Sequence, residues 1–218
     1  MEISYLGHSS FRIKGGKATL ITDPYDDSQL GMKIAKVEAD IITVSHQHSD
    51  HNAVNLIKGN PFIIWEPGEY EIKGVSILGY PSFHDSQKGQ ERGENTIYLI
   101  EMDGLRICHL GDLGEDLNEE KLEEIGAVDI LMIPVGGYYT IEPKRAAELV
   151  TKIEPLIVLP MHFKREKMGG SLAKLTKVED FLKEMAVAKT SPLPKLLISK
   201  DKLPEERQVV LLEMKNEK

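Results

Sequence analysis

An apolar, β-branched run, Ile41-Ile42-Thr43-Val44-Ser45, passes without a break into His46-Gln47-His48-Ser49-Asp50-His51. Successive apolar residues leave no solvent face, so the run reads as a buried strand. Its end then delivers the next residues to a fixed place at the edge of a sheet. His46 and His48 are two apart, so in extended backbone they point to the same side and can grip one ion. Asp50 and His51 follow as the chain turns into the helical-looking 52–57, where they can face a second ion a few ångströms away. Imidazole with carboxylate suits Zn²⁺, with Mn²⁺ or Fe²⁺ where carboxylates increase the coordination. A lone histidine would read as a hydrogen-bonded structural residue. Three histidines and an aspartate within six positions after a buried strand do not.

Composition narrows the field. The 218-residue chain carries 27 Lys+Arg against 35 Asp+Glu, a net charge of -8 that disfavours electrostatic capture of nucleic acid or anionic membrane. Its single cysteine, Cys108, excludes an internal disulfide and any cysteine-built zinc cluster, so a metal site must use nitrogen and oxygen. No apolar run approaches the ~20 residues that span a bilayer. The start, MEISYLGHSS, has neither a basic nor an apolar leader segment. A cytoplasmic location is expected, and homo-oligomerisation is left open.

No linker or low-complexity tract divides the chain, so one domain over 1–218 is expected. Strands are expected at Ile3–Leu6, Phe11–Ile13, Thr19–Thr22, Ile41–Ser45, Phe62–Trp65 and Val75–Leu78. A second set is expected at Thr96–Glu101, Leu105–Leu110, Ile130–Val135, Leu156–Pro160, Leu196–Ser199 and Val209–Glu213. Glu66, Glu69 and Glu71 read as surface residues of a Pro- and Gly-rich turn. Helices are expected at Leu117–Ile125 behind an Asp116 cap, from a Thr140 cap through Pro143 to Ile153, and after a Thr176 cap. Hairpin-rich strands with separate helices argue for an α+β fold in which sheets pack together with helices outside. Strands followed by helix in both halves permit a pseudo-duplicated αβ/βα sandwich.

With these residues in place, the chain resembles the metallo-β-lactamase superfamily of metal-dependent hydrolases over nearly its whole length. The resemblance implies a four-layer αβ/βα sandwich, with two mixed sheets face to face and helices outside. It also implies further ligands, each of which occurs in order. His84 in Pro81-Ser82-Phe83-His84-Asp85 looks like the third histidine of a first site with His46 and His48. Asp112 in His109-Leu110-Gly111-Asp112 looks like the bridging carboxylate. His162 in Leu159-Pro160-Met161-His162 looks like the last ligand of a second site with Asp50 and His51. Redox di-iron relatives typically carry a carboxylate where this chain has His48, so the resemblance favours a zinc-type hydrolytic site. Tyr5-Leu6-Gly7-His8-Ser9-Ser10-Phe11, Gly93-Glu94-Asn95-Thr96 and Ile133-Pro134-Val135-Gly136-Gly137 are similar to a short, stand-alone subgroup that includes ascorbate-6-phosphate lactonase.

Two ions ~3.5–4 Å apart can hold a hydroxide between them as nucleophile. Asp50 is expected to orient it and take its proton. Asp23, before Pro24, matches the family's orienting aspartate, while Asp85 reads equally as orienting or as a solvent-facing loop residue. His8 is expected at the metal mouth, facing substrate or positioning a ligand. His109 reads as packing from its strand and Cys108 as a core thiol. Gly136, Gly137, Tyr138 and Tyr139 lead into a helix N-terminus and are candidates for binding a small anionic substrate. Lys164, a further substrate-binding candidate, belongs to a basic segment, 163–170, that reads as a solvated loop or as a lid whose cations attract a phosphate or carboxylate. The expected reaction is cleavage of an ester, lactone or phosphodiester bond. The alternatives are a nuclease or phospholipase of the same superfamily, and a non-catalytic metal-binding or sensing module.

Overall fold

The computed structural model describes residues 1–26, 30–165, 168, 170–188 and 190–215. Two sheets form. The first comprises β1 (Glu2–Gly7), β2 (Ser10–Lys14), β3 (Thr19–Thr22), β4 (Ile41–Thr43), β5 (Phe62–Ile64) and the short β12 (Leu196–Leu197). Its order is β12-β1-β2-β3-β4-β5, antiparallel as far as β3 and parallel from β3 to β5. The second comprises β6 (Gly68–Ile72), β7 (Val75–Phe83), β8 (Glu94–Met102), β9 (Leu105–His109), β10 (Ile130–Pro134), β11 (Ile157–Met161) and β13 (Gln208–Val209). Its order is β13-β11-β10-β9-β8-β7-β6, antiparallel from β6 to β9 and parallel beyond. Both sheets are therefore mixed, as expected.

Alternation along the strands sets the layers. Ile3, Tyr5, Leu20 and Ile41 of the first sheet belong to one apolar core with Leu99, Ile107, Leu131 and Val158 of the second. The intervening residues Leu6, Ile21 and Ile42 face the opposite way and form a separate cluster with Ala35, Val37, Ala39 and Ile57. That outer face is covered by the irregular stretch 31–39 and a single 3₁₀ turn, Val54–Leu56, where a helix over 52–57 was expected. Over the second sheet, α2 (Pro143–Ile153) buries Ala146, Leu149, Val150 and Ile153 at helical spacing and packs on β10 and on α3 (Val178–Glu184). Each fully buried Leu, Val or Ile there contributes about 1.5–3 kcal/mol.

Several boundaries differ from expectation, with identifiable causes. The first helix, α1 (Glu119–Ile125), is capped by Asn118, whose side chain accepts from Lys121 N, and not by Asp116. α2 begins at Pro143 after Glu142, because proline's fixed φ suits the first helical position, so Thr140 lies too far upstream to cap it. Thr176 donates its hydroxyl to Val135 O, and Lys177 occupies the cap position of α3. The Pro- and Gly-rich turn is in part a strand, β6, paired with β7 as a hairpin. Among the described residues no helix is long and apolar enough to cross a membrane.

Candidate metal centre

Strand direction gathers the site. β1 lies two antiparallel steps from β3, and β7 two from β9, so each pair runs the same way. The carboxyl ends of β1, β3 and β4 thus share one edge of the first sheet, and those of β7, β9, β10 and β11 share one edge of the second. His8 follows β1, Asp23 follows β3, and 45–51 follow β4. His84 follows β7, Asp112 lies shortly beyond β9, and His162 follows β11. Residues separated by more than a hundred positions meet because every one of them lies just past such an end.

Three overlapping groups bring their ligand atoms within 4.8 Å of one another: His46, His48 and His84; His46, His51 and Asp112; and His8, Asp50, His51 and His162. At their centre, Asp112 Oδ2 lies 3.2 Å from His51 Nε2, 3.2 Å from His84 Nε2 and 3.1 Å from His162 Nε2. A tetrahedral ion with bonds of about 2.0–2.1 Å holds its donors about 3.3 Å apart, so these separations are those of donors sharing an ion. Nε2 of His46 is buried without a hydrogen-bond partner, a condition native interiors rarely leave uncompensated. A divalent ion would satisfy it, and five imidazoles with two carboxylates form a suitable donor set.

The donors are held from behind. Asp23, fully buried with φ 36°, accepts from Ser45 N at 2.7 Å and Ser45 Oγ at 2.6 Å, and meets His51 Nδ1 at 2.8 Å. Ser45 Oγ lies 2.9 Å from His46 Nδ1, so one carboxylate orients His51 directly and His46 through a hydroxyl. Asn95 accepts from Asp112 N at 2.9 Å and donates to Leu110 O and Ser82 Oγ, fixing the loop that carries Asp112. Ser9 Oγ approaches Asp112 Oδ1 at 3.5 Å. The only sequence signals for these roles were the position of Ser45 beside His46 and the place of Asn95 in the Gly93-Glu94-Asn95-Thr96 segment that carries the subgroup resemblance.

Charge follows the same pattern. Burial raises the Asp112 carboxyl, but the His162 and His51 imidazoles outweigh it and hold Asp112 well below the carboxylate range. Burial likewise opposes ionisation of Asp50, and His51 and His8 overcome it. His51 is pushed down by burial and, more strongly, up by Asp112 and Asp50, so its pKa is raised well above 6.5. Burial, then His51, depresses His46. His8 has no exposed surface and sits 3.3 Å from Asp50 Oδ2 with its ring centroid 4.3 Å from that of His162; burial, then His162, lowers its pKa to about 4.

Residues 2–162, which contain every one of these donors, match the family model described as a β-lactamase superfamily domain. The chain belongs to the β-lactamase superfamily. A UPF0173 metal-dependent hydrolase from Thermococcus onnurineus is 34% identical over 190 residues, covering 75% of this chain and 84% of the relative. One from Thermococcus kodakarensis is 30% identical with the same coverage. Among solved structures, a candidate Zn-dependent hydrolase of the metallo-β-lactamase superfamily from Thermotoga maritima superposes with a TM-score of 0.80 at 37% identity over 97% of both chains. A metallo-hydrolase from Ignicoccus hospitalis superposes at 0.66 and 20% identity, a likeness of fold alone. The chain is in class a metal-dependent hydrolase of this superfamily.

Around this superfamily centre the remaining candidates fall in different places. At Gly136 a Cβ would run into the His162 carbonyl, so this glycine lets the ends of β10 and β11 lie close enough to present His162. Gly136→Ala is therefore expected to cost about 1–3 kcal/mol and to lower metal content with it, checked by thermal denaturation and elemental analysis. An unchanged melting temperature would rule this role out. Gly137 is buried, with φ 59°. Tyr138 is exposed and accepts from Lys174 at 2.7 Å, while the Tyr139 ring lies under the Arg92 guanidinium at 4.3 Å. Lys164 is half-buried and bonds through its backbone N–H to Thr176 O. Of the segment read as a loop or lid, Glu166, Lys167 and Gly169 lie outside the described residues. Asp85 accepts four backbone N–H groups, from Gln87, Gly89, Glu91 and Arg92, at 2.7–3.0 Å and so organises its own loop. His109 packs from its strand, with Nε2 2.8 Å from Ser9 O. Cys108 is buried, and burial pushes its thiol up to about 12.

Proposed function

We propose that this chain is a dinuclear hydrolase, with His46, His48 and His84 holding one divalent ion and Asp50, His51 and His162 the other. Asp112 lies between them. The observation that carries the reading is the single Asp112 oxygen in contact with His84 of one set and with His51 and His162 of the other. Zinc is the ion favoured by the imidazole-rich donor set, with manganese or iron as alternatives. Bound there, the ions would supply a nucleophilic water at neutral pH and polarise a carbonyl or phosphoryl oxygen. Asp50, ionised and partly open to solvent, orients that water and accepts its proton. His8, enclosed behind Asp50 and His162, positions the Asp50 carboxylate, and Asp23 holds His51 and His46.

The bond cleaved is an ester, lactone or phosphodiester in a small anionic substrate. The test is metal analysis followed by a panel of lactone, phosphodiester and thioester substrates on wild-type and Asp50→Ala proteins. About two equivalents of metal and a turnover that disappears with Asp50 are expected. Full turnover by metal-stripped protein would overturn the mechanism. Tight metal with no turnover on any of them would favour a sensing module.

A further inference from the structure

Beside the first histidine set, a cavity of about 410 Å³ opens, lined by His46, His48, Trp65, Arg92, Glu66 and Glu94. Its walls come from the loop after β4 that carries His46 and His48, the turn after β5 that carries Trp65, and the end of the 84–93 loop with the start of β8, where Arg92 and Glu94 lie. Arg92 is not on a free tether. The Asp85 carboxylate, next to the candidate ligand His84, takes the Arg92 backbone N–H at 2.7 Å together with three others of the same loop. The guanidinium is then braced over the Tyr139 ring, with Cζ 4.3 Å from its centroid. Among the described residues no carboxylate lies within ion-pair distance of it. A braced guanidinium without a counter-ion presents its remaining donors as a fork suited to an oxyanion. Trp65, 41% exposed, supplies a flat face in the same cavity.

The geometry points to a substrate-recognition subsite: Arg92 binds a single carboxylate or phosphoryl oxyanion of the substrate while Trp65 stacks on a planar or apolar group next to it. Glu66 and Glu94, which line the same cavity, repel additional negative charge, so the subsite selects a small molecule with one anionic group over a polyanion. This deepens the hydrolase reading, and rests on it for calling the ligand a substrate. It assigns the specificity to the loops after β5 and β7, rather than to Gly136 and Lys164.

Trp65 is the only tryptophan, so its fluorescence reports on this cavity alone. Metal-loaded protein is titrated with phenylphosphonate, with methylphosphonate (oxyanion without ring) and with benzamide (ring without charge), by fluorescence and by calorimetry. Phenylphosphonate is expected to bind saturably and to change the Trp65 emission. Arg92→Ala weakens both phosphonates roughly ten- to a hundredfold and leaves benzamide unaffected, and Arg92→Lys restores part of the loss. By calorimetry, Trp65→Ala weakens phenylphosphonate roughly three- to tenfold and leaves methylphosphonate unchanged. Benzoate in place of the phosphonate distinguishes a carboxylate ligand from a phosphoryl one. Equal phosphonate affinity in wild type and Arg92→Ala, or saturation without any Trp65 response, overturns the subsite. Metal content and turnover measured on the same preparations separate the two readings. Turnover without Arg92-dependent binding removes the subsite alone, and Arg92-dependent binding without turnover on any substrate removes hydrolysis alone.

Discussion

Asp112→Ala protein is expected to fall from about two metal equivalents per chain to one or fewer, and to lose turnover by on the order of a thousandfold or more. The reason is geometric. Asp112 Oδ2 contacts imidazoles of both candidate sets, and its backbone N–H is pinned by Asn95. Removing it would deprive both ions of a shared anionic ligand and take from His84 and His162 the carboxylate they contact. Elemental analysis and kinetics check the result, with circular dichroism to show that the sheets persist. Two full equivalents of metal in the variant would show that Asp112 does not bridge.

Asp23→Ala is expected to have the largest effect on stability, about 3–5 kcal/mol, with metal affinity lowered some 10–100-fold. Asp23 is not among the proposed metal ligands. It is a fully buried charge whose two oxygens take the Ser45 N–H, the Ser45 hydroxyl and His51 Nδ1. Without it those groups lose their acceptor in the interior, and both His51 and His46 lose their orientation. Asp23→Asn separates the contributions, because it keeps an acceptor for Ser45 N while placing a donor or a neutral oxygen against His51. Chemical denaturation and calorimetric metal titration measure the two effects. Wild-type values in both would remove Asp23 from the support of the site.

The sequence made the mixed two-sheet fold legible because its strands are apolar, β-branched and bounded by turn residues, and because the run 41–45 has no polar side. It also marked His46, His48, Asp50 and His51 as metal-binding candidates directly past an apolar strand, while His84, Asp112 and His162 came from the family resemblance. Other features depend on information that local pattern does not hold. Strand direction is one: nothing in residues 3–8 says that β1 runs the same way as β3, and only that brings His8 beside Asp50. β6 was hidden because Glu69 and Glu71 alternate with a half-buried Tyr70 and Ile72 on an exposed hairpin, which reads like a polar turn. Thr140 and Thr176 have the chemistry of caps, but where the backbone enters each helix is set by Pro143 and by the Val135 carbonyl. Arg92 was invisible as a binding group because its place comes from Asp85 and Tyr139, one nearby and one far along the chain.

The order in which the donors occur along the chain has a consequence for biosynthesis. The first sheet supplies His46, His48, Asp50 and His51, and the second supplies His84, Asp112 and His162. During translation, domains form as the chain emerges from its amino end, and the final imidazole arrives only once residue 162 has cleared the ribosome. A nascent chain therefore already carries the proposed first set and Asp112 by residue 112, while the proposed second set stays one imidazole short until β11 has docked beside β10. An ion that binds only the completed second set then stabilises the finished sandwich by mass action.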